Sequence, residues 1–293
     1  MELNDLLLKK SINAEKVLVL RHRPFEKGFS KVFPWLAANR PDLFNAYQST
    51  QGEQLERAMQ KAQFVASFIG NEPGKAIFIG LYEIGEAKSL TREEYWAVPA
   101  YAEMKALGME GFSEERDKRE TILRFDLKQQ DEFFPEWKGK LVVGWPPPER
   151  SWWRWAERNT MPILAVHEES VLDKVMPDWR EIVLTWGELR VLPETWKNVL
   201  RQWCAVYYIH DSAENKGYVG SASGEERLLQ RWENYAATGH GGNVLLRGCD
   251  HNNFTFSILQ LIPPDIESQE IIRVESTWKK RLHTQAPAGL NDN

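Results

Sequence analysis

A strand–turn–strand pattern at residues 205–220 constrains the fold of this chain more than any other feature. Residues 205–210 (AVYYIH) are aromatic and β-branched, which favours a strand. Residues 211–216 (DSAENK) have turn chemistry, and 217–220 (GYVG) begin a second strand. A helical pattern at 225–237, a strand pattern at 253–261 and a long helical pattern at 265–283 follow. The order β-β-α-β-α predicts a small α+β domain.

The rest of the chain predicts a second, less regular module. Helical patterns at 4–12 and 54–66 alternate with strand patterns at 16–20, 76–82, 121–127 and 141–145. Several strands with long connections favour a β-rich, barrel-like α+β domain. We therefore expect three parts: a first domain at 1–170, a packed helical linker at 171–198 and the small domain at 199–293.

Length and composition exclude several classes of protein. The 293 residues have room for two domains, and they contain no apolar run of the length that a membrane span needs. The start of the sequence does not have the pattern of a signal peptide, and two cysteines, Cys204 and Cys249, cannot form a disulfide framework. These features predict a cytoplasmic protein without a membrane partner. The net charge of −5 excludes a uniformly basic surface, so any contact with nucleic acid must use local patches.

Two charged residues lie within apolar helical faces. One face of the last helical pattern comprises Ile271, Glu275, Trp278 and Leu282. A carboxylate in such a stripe must be paired, protonated or bound to a metal, because burying it alone is too costly. Arg231 lies on the equivalent face of the 225–237 helix. An internal Arg231–Glu275 ion pair and a functional site are both consistent with this pattern.

The second part resembles the GIY-YIG nuclease superfamily, which includes homing endonucleases, repair nucleases and some restriction enzymes. The triplets AVY (205–207) and YVG (218–220) are similar to the paired motif of that family. Arg231 matches the arginine of the helix that follows, and Glu275 matches the metal-binding glutamate of the later helix. The resemblance covers about the last 90 residues and rests on the order and spacing of these motifs together.

Two further segments are similar to a bacterial, restriction-endonuclease-like branch of this family. They are RWENYAATGHGGN at 231–243 and GLNDN at 289–293. Ala205 and Val206 stand where the family has Gly and Ile, and both residues suit a strand. The resemblance therefore implies a GIY-YIG nuclease fold for the small domain.

One departure from the family concerns a cation. Ser221 stands where many relatives have a lysine directly after YVG. If that lysine assists catalysis, Lys216 and Lys279 are the alternatives that could replace it. Arg231 lies further beyond YVG than its counterpart does in some branches, and Arg227 is a competing arginine one turn earlier.

The resemblance assigns three catalytic roles. Tyr207 or Tyr218 orients or deprotonates the attacking water, which requires a nearby cation to lower a tyrosine pKa from about 10. Arg231 binds the scissile phosphate through its planar guanidinium. Glu275 holds Mg²⁺, or another divalent cation such as Mn²⁺, because hard ions prefer oxygen ligands. Alternatively, Tyr207 is only a core residue of its strand.

Two weaker candidates complete the predicted site. His240 donates a proton or contacts phosphate, and Asn291 hydrogen-bonds the phosphate or orients the site. Alternatively, His240 lies in a solvated glycine-rich loop and Asn291 in a loose tail. A zinc site built from Cys204, His240, Cys249 and His251 is not expected, because these residues lack the paired spacing of zinc ligands.

Aromatic and basic residues alternate in the first domain at 144–158 (GWPPPERSWWRWAER). The candidates for DNA contact there are Arg150, Trp152, Trp153, Arg154 and Trp155, since such a segment can grip phosphate and stack on a base or hold a flipped one. The alternative is that these tryptophans pack a helix onto the sheet. Arg21, His22 and Arg23 form a second basic patch. By analogy of fold alone, the first domain is a recognition module similar to the PUA-like or SRA-like barrels that read modified bases.

These observations predict a metal-dependent DNA endonuclease of restriction or defence type, whose first domain chooses the target. The alternatives are an inactive nucleic-acid-binding protein with this fold and an RNA-directed nuclease. With one active site per chain, cutting both strands of DNA requires a homodimer or two successive nicks.

Overall fold

The computed structural model describes residues 1–70, 72–172, 175–224 and 226–292. The chain divides into two units, Met1–Lys174 and Val175–Asn293. Four residues of the predicted elements lie outside the described residues: Asp173 and Lys174 of the expected linker, Glu225 at the expected start of a helix, and Asn293 at the end of GLNDN. None of the helices in the described ranges combines the length and the apolar character that crossing a bilayer requires.

The first unit is a mixed α+β structure built on one large sheet. Its strands are β1 (Val17–His22), β2 (Phe64–Ile69), β3 (Lys75–Thr91), β4 (Thr121–Gln129), β5 (Leu141–Gly144), β6 (Trp153–Trp155) and β7 (Ile163–Val166). Its helices are α1 (Leu3–Lys9), α2 (Lys27–Asn39), α3 (Pro41–Ser49), α4 (Glu53–Met59), α5 (Arg92–Ala97) and α6 (Pro99–Ala106). The apolar side of α1 packs on the sheet in a core that includes Leu7, Val19, Phe68 and Trp145.

The sheet has the strand order β6-β1-β2-β3-β5-β7, and β4 pairs with β3. Strands β1 and β2 are parallel, and the other pairs are antiparallel. Parallel neighbours need a long connection, and helices α2, α3 and α4 supply it. No described strand pair joins β6 to β7, so the described part of the sheet is open rather than a closed barrel.

Two sequence predictions for the first unit were wrong in extent. The helix predicted at 54–66 ends at Met59, and strand β2 begins at Phe64, because FVASFI is a continuous apolar run that helical periodicity cannot distinguish from a strand. The strand predicted at 76–82 continues to Thr91 as β3. Its second half lacks apolar alternation in the sequence and is held instead by pairing with β4.

The second unit has the predicted β-β-α-β-α order with additional elements before it. Its strands are β8 (Val183–Thr185), β9 (Cys204–Asp211), β10 (Lys216–Ala222) and β11 (Phe254–Ile262). Its helices are α7 (Trp186–Arg190), α8 (Glu194–Leu200), α9 (Leu228–Thr238) and α10 (Ser268–Arg281). The strands form an antiparallel sheet in the order β10-β9-β11-β8.

The segment expected to be a linker contributes to the second unit. Leu184 of β8 lies opposite Phe256 of β11, so this part of the chain extends the sheet. Trp186 at the start of α7 packs its ring against His251 at a centroid distance of 4.3 Å. The described residues from Val175 onwards therefore belong to the second unit rather than to a separate helical connection.

Candidate active site

Tyr207 lies at the centre of the second unit's sheet. Its strand, β9, is paired on both sides, with Gly220 of β10 opposite Tyr207 on one side and Ile258 of β11 on the other. Tyr207 is fully buried, and Tyr218 of β10 is 8% exposed. Because paired residues of antiparallel strands share a face, Tyr207, Gly220 and Tyr218 all face the same side of the sheet.

Helix α9 covers this side of the sheet and brings Arg231 to Tyr207. Arg231 Nε donates a hydrogen bond of 3.3 Å to Tyr207 Oη, and Tyr235 Oη lies 3.2 Å from the same oxygen. Arg231 Nη1 also forms an ion pair of 3.3 Å with Glu226. The ring of Trp232 stands edge-on to that of Tyr207 at a centroid distance of 6.3 Å. The sequence predicted that Arg231 and Tyr207 act together. It did not predict that Tyr235 would contact the Tyr207 hydroxyl or that Glu226 would pair with Arg231.

The phenols of Tyr207 and Tyr235 are neutral at physiological pH, because both of their pKa values are raised. Burial raises the pKa of Tyr207, and the nearby Tyr218 raises it further. Burial likewise raises the pKa of Tyr235. Burial lowers the pKa of Arg231, but the phenol oxygens of Tyr207 and Tyr235 outweigh this effect and leave its pKa above the usual range. The cluster is therefore a cation held by neutral hydrogen-bonding groups.

The glycine of YVG is required by the packing of the tyrosines. A Cβ added at Gly220 would lie 2.5 Å from Tyr207 Oη and 2.9 Å from a ring carbon of Tyr218. Both distances are too short for real contacts, so only glycine allows the phenol of Tyr207 to lie directly over the β10 backbone. The Tyr207 hydroxyl is therefore adjacent to the backbone at Gly220.

Glu275 lies on the opposite side of the same sheet. Helix α10 packs there through Ile271, in a small core with Val206 and Val219. The Glu275 carboxylate accepts a hydrogen bond from Ser221 Oγ, and its Oε1 is 2.8 Å from Lys279 Nζ. The carboxylate is paired, as one of the sequence interpretations required. Its cation is Lys279, one helical turn away, so the alternative of an Arg231–Glu275 ion pair is wrong.

The sheet thus separates the predicted catalytic residues into two clusters. The arginine cluster, comprising Tyr207, Tyr218, Arg231 and Tyr235, lies on the α9 face, and the glutamate cluster, comprising Ser221, Glu275 and Lys279, lies on the α10 face. Two consecutive residues of β10 contact the two clusters. Gly220 lies against Tyr207 of the arginine cluster, and Ser221 donates a hydrogen bond to Glu275 of the glutamate cluster. Neighbouring Cα atoms are about 3.8 Å apart. Because β10 is the edge strand, one substrate group could contact both clusters only at this edge.

Asn291 fastens the C-terminal segment to the edge of β10. Its Oδ1 accepts a hydrogen bond of 2.9 Å from Val219 N, and its Nδ2 donates one of 2.8 Å to Val219 O. Leu290 N donates to Gly217 O at 2.9 Å. Asn291 is 2% exposed, so its side chain replaces the backbone partner that a neighbouring strand would supply. It lies beside the two clusters, while both of its polar atoms are bonded to β10.

His240 lies in the loop that follows α9. Gly239 ends the helix with a φ of 80°, and Gly241, with a φ of 52°, lies so close to the Tyr235 ring that a Cβ there would clash. His240 is half-buried, and its Nδ1 accepts a hydrogen bond of 2.9 Å from Gly242 N. The TGHGGN segment thus packs against Tyr235 of the arginine cluster, and the His240 ring forms its hydrogen bond within this loop rather than with Arg231 or Glu275.

Glu275 and Ser221 are the oxygen donors suited to a divalent cation. No group of three or more His, Cys, Asp or Glu side chains in the described residues could enclose a metal ion. Mg²⁺, however, is commonly held by one or two carboxylates together with water and substrate phosphate, so a single partly exposed glutamate fits that ion. The competing arginine, Arg227, donates to the thiol of Cys204 and is not part of this donor set.

The predicted DNA-contact residues of the first unit have different surroundings. Arg150 is exposed and Trp152 is half-buried, and both line one cavity. Trp153 and Trp155 lie on β6, opposite Leu20 and Leu18 of β1. Arg154 donates hydrogen bonds to the backbone carbonyls of Pro146 and Pro148 and to the side chain of Asn159. Its guanidinium therefore stabilises the proline segment at 146–148.

The basic patch predicted at residues 21–23 is mostly interior. Arg21 is fully buried, and its guanidinium donates hydrogen bonds to the backbone carbonyls of Lys75 and Glu72. His22 is 2% exposed, and only Arg23 lies at the surface. The patch prediction was therefore wrong for Arg21 and His22, because β1 is an inner strand with neighbours on both sides.

Comparisons of this chain with protein-family models, with curated proteins and with solved structures found no match.

Proposed function

We propose that this chain is a metal-dependent DNA endonuclease that hydrolyses phosphodiester bonds, of restriction or defence type, with the first unit choosing the target. The observation that carries the proposal is Arg231, a partly buried cation held by the buried hydroxyl of Tyr207 next to Gly220. Its side chain is 27% exposed, so a phosphate could approach it from the solvent. An arginine fixed in this way is suited to two oxygens of a phosphate and to the charge that develops on them.

The tyrosines have separate roles in this mechanism. Tyr207 is neutral and fully buried, so it positions Arg231 by a hydrogen bond rather than acting as the base. Tyr218 lies on the same face and is slightly exposed, which makes it the tyrosine that orients the attacking water. The scissile phosphate would lie near Gly220 and Ser221, the consecutive residues of β10 that adjoin the two clusters.

Glu275 is the residue that would hold a divalent cation, with Ser221 fixing one of its oxygens. When bound there with the substrate phosphate, Mg²⁺ or Mn²⁺ supplies positive charge and makes water easier to deprotonate. Lys279 forms an ion pair with the carboxylate and is the nearest replacement for the lysine that relatives have at the position of Ser221. His240 and Asn291 support the site through the loop after α9 and through the edge of β10.

The test is cleavage of plasmid and phage DNA, with ordinary and modified cytosines, in Mg²⁺ or Mn²⁺. Wild-type protein should nick or linearise at least one substrate. Glu275→Gln should lower the rate by about 100-fold, whereas Glu270→Gln, an exposed glutamate on the same helix, should leave it unchanged. Absence of cleavage of every DNA would reject the endonuclease, and cleavage of RNA alone would make RNA the substrate. Equal rates for wild type and Glu275→Gln would reject the role of Glu275.

A second candidate function is nucleic-acid binding without cleavage. It is favoured by one observation: Lys279 and Ser221 already satisfy both oxygens of Glu275. In that case the protein should bind DNA with the same affinity in EDTA and in Mg²⁺ and cut nothing. Retention of full-length plasmid after incubation, together with a shift of the DNA in a gel, would identify this function.

A further inference from the structure

The first unit contains a cavity of about 660 Å³ that the proposed nuclease chemistry does not use. Ligand pockets typically measure about 300–1,000 Å³, so the cavity has room for a small organic group. Its walls come from the end of β1, from α3, from α5 and from the loops around residues 109–117 and 149–152. All of these segments belong to the first unit.

Flat rings make up much of the cavity wall. They belong to His22, Tyr47, Tyr95, Phe112 and Trp152. Tyr95 is held by the ring of Tyr101, which stacks on it at 3.9 Å, and Tyr47 stands edge-on to His22 at 5.6 Å. Rings fixed by other rings form a rigid surface, and such a surface favours a planar aromatic ligand.

The inner wall also has an unused polar atom. His22 is 2% exposed, and its Nε2 has no hydrogen-bond partner among the described residues. Burial lowers the pKa of His22 to about 4, although a hydrogen bond with Gln48 opposes this effect, so the imidazole is neutral at physiological pH. A neutral imidazole nitrogen can pair with the polar edge of a heterocycle. Gln51, which also lines the cavity, has an amide whose Nε2 donates to the carbonyl of Gln48.

The rim of the cavity has two uncommitted cations. Its carboxylates already have partners: Glu26 with Arg116, Asp117 with Arg119, and Glu149 with Arg21. Arg23 and Arg150 are exposed, and neither forms an ion pair with any other described residue. An anion attached to the ligand would therefore find two free guanidinium groups at the entrance.

We infer that this cavity binds a nucleobase, with the adjoining phosphate at Arg23 and Arg150. The same chemistry is present in a free nucleotide and in a base turned out of a DNA duplex. The second source rests on the proposed function, since it would make the cavity the place where the first unit examines its target. Turning out a base costs least where pairing is weak, and stacking on protein rings offsets that cost.

Binding to the full-length protein in EDTA tests this inference without cleavage. The probes are fluorescently labelled short duplexes with ordinary, methylated or hydroxymethylated cytosine, and duplexes with one mismatched base. Fluorescence anisotropy should show binding that strengthens for at least one modified or mismatched duplex. Mononucleotides are added as competitors. Competition by a mononucleotide would identify the free nucleotide as a ligand, and its absence with duplex binding retained would identify the turned-out base.

Two pairs of variants locate the binding. Trp152→Ala should weaken it by about 5- to 100-fold, since stacking on one aromatic side chain contributes that much. Trp137→Ala, at a half-buried tryptophan of the same unit that does not line the cavity, should change it less than about twofold. Arg150→Gln is compared with Arg158→Gln, and both arginines are at exposed positions. If Trp152→Ala does not fold, this second comparison tests the inference.

The outcome is independent of nuclease activity. Equal binding by wild type, Trp152→Ala and Arg150→Gln, or no binding of any duplex or nucleotide, would overturn the inference. If cleavage persists while these variants bind normally, only the cavity assignment fails. If binding depends on Trp152 while nothing is cleaved, only the proposed endonuclease fails.

Discussion

The two faces of the second unit's sheet hold their charged residues by different means. On the α9 face, Arg231 is held by neutral phenols in a buried aromatic cluster. On the α10 face, Glu275 is held by a hydroxyl and by a lysine of its own helix, and it remains 21% exposed. The first arrangement fixes geometry, because buried hydrogen bonds and rings leave little freedom. The second pairs a carboxylate with a cation that a metal could displace.

The largest expected effect is on the α9 face. Arg231→Lys keeps the charge but loses the planar fork, so we expect turnover to fall by about 10²–10³-fold. Stability should change little, because Arg231 is partly exposed and its neighbours remain packed. Plasmid-nicking rates and thermal unfolding would be measured beside Arg247→Lys, at an exposed position. A rate within threefold of wild type would contradict a phosphate-binding role, with the threefold limit set at roughly 0.6 kcal/mol.

Gly220→Ala tests whether the clusters on both faces of the sheet depend on the backbone of β10 at residues 220 and 221. The added methyl would meet Tyr207 Oη, so Tyr207 or β10 must shift, and we expect a loss of about 1–3 kcal/mol in the free energy of unfolding. Activity should fall at the same time, because Ser221 follows directly and holds Glu275. Denaturant unfolding would be compared with Gly248→Ala, where a Cβ meets nothing within 4 Å. Equal stability of the two variants would show that the tight contact at Gly220 is unimportant.

Asn291→Ala tests the edge that both faces share. It removes the two hydrogen bonds with Val219 and leaves buried backbone groups without partners, so about 1–2 kcal/mol of stability should be lost. Hydrogen exchange of the Val219 amide should become faster. If Asn291 instead contacts the phosphate, Asn291→Ala would lower turnover without changing this exchange rate. Asn252→Ala is the control, because this exposed side chain donates to Asp250 and not to β10.

Lys279→Met should have the smallest effect on stability and the clearest effect on metal dependence. The Lys279 side chain is buried, but methionine keeps its apolar packing, so we expect a loss of only about 1 kcal/mol from the ion pair with the partly exposed Glu275. If Lys279 only competes with the metal, the variant should need less Mg²⁺ for half-maximal cleavage. If Lys279 replaces the catalytic lysine, turnover should fall at every Mg²⁺ concentration. Titrating Mg²⁺ against nicking rate separates these outcomes, and Lys280→Met, an exposed neighbour, is the control.

The sequence was most informative where local pattern and fold agree. Strands β9 and β10 have aromatic and β-branched residues around a polar turn, and helices α9 and α10 have periodic apolar faces, so their order could be predicted. What could not be predicted is which residues share a face, since that depends on strand register and on how each helix packs. The i,i+4 spacing of Glu275 and Lys279 was the signal for their pair, and it was available in the sequence.

The first unit was harder to predict because its strands are buried on both sides or paired along unequal lengths. The segment FVASFI in β2 has no alternation, and residues 83–91 of β3 have few apolar side chains. The run Arg21–His22–Arg23 has the composition of a surface patch, but pairing of β1 with β2 and β6 places its first two residues inside. The aromatic cavity combines residues distant in sequence, among them Tyr47, Tyr95 and Trp152, which no local pattern connects.

The side-chain clamp of Asn291 has a consequence for self-association. An edge strand with free backbone groups is a template on which another chain can add a strand. The carbonyl of Gly217 is already bonded to Leu290, and both backbone groups of Val219 are bonded to Asn291, so a second molecule cannot pair with these groups without first displacing this segment. The clamp thereby protects this edge of β10, beside the candidate site, from aggregation by strand addition.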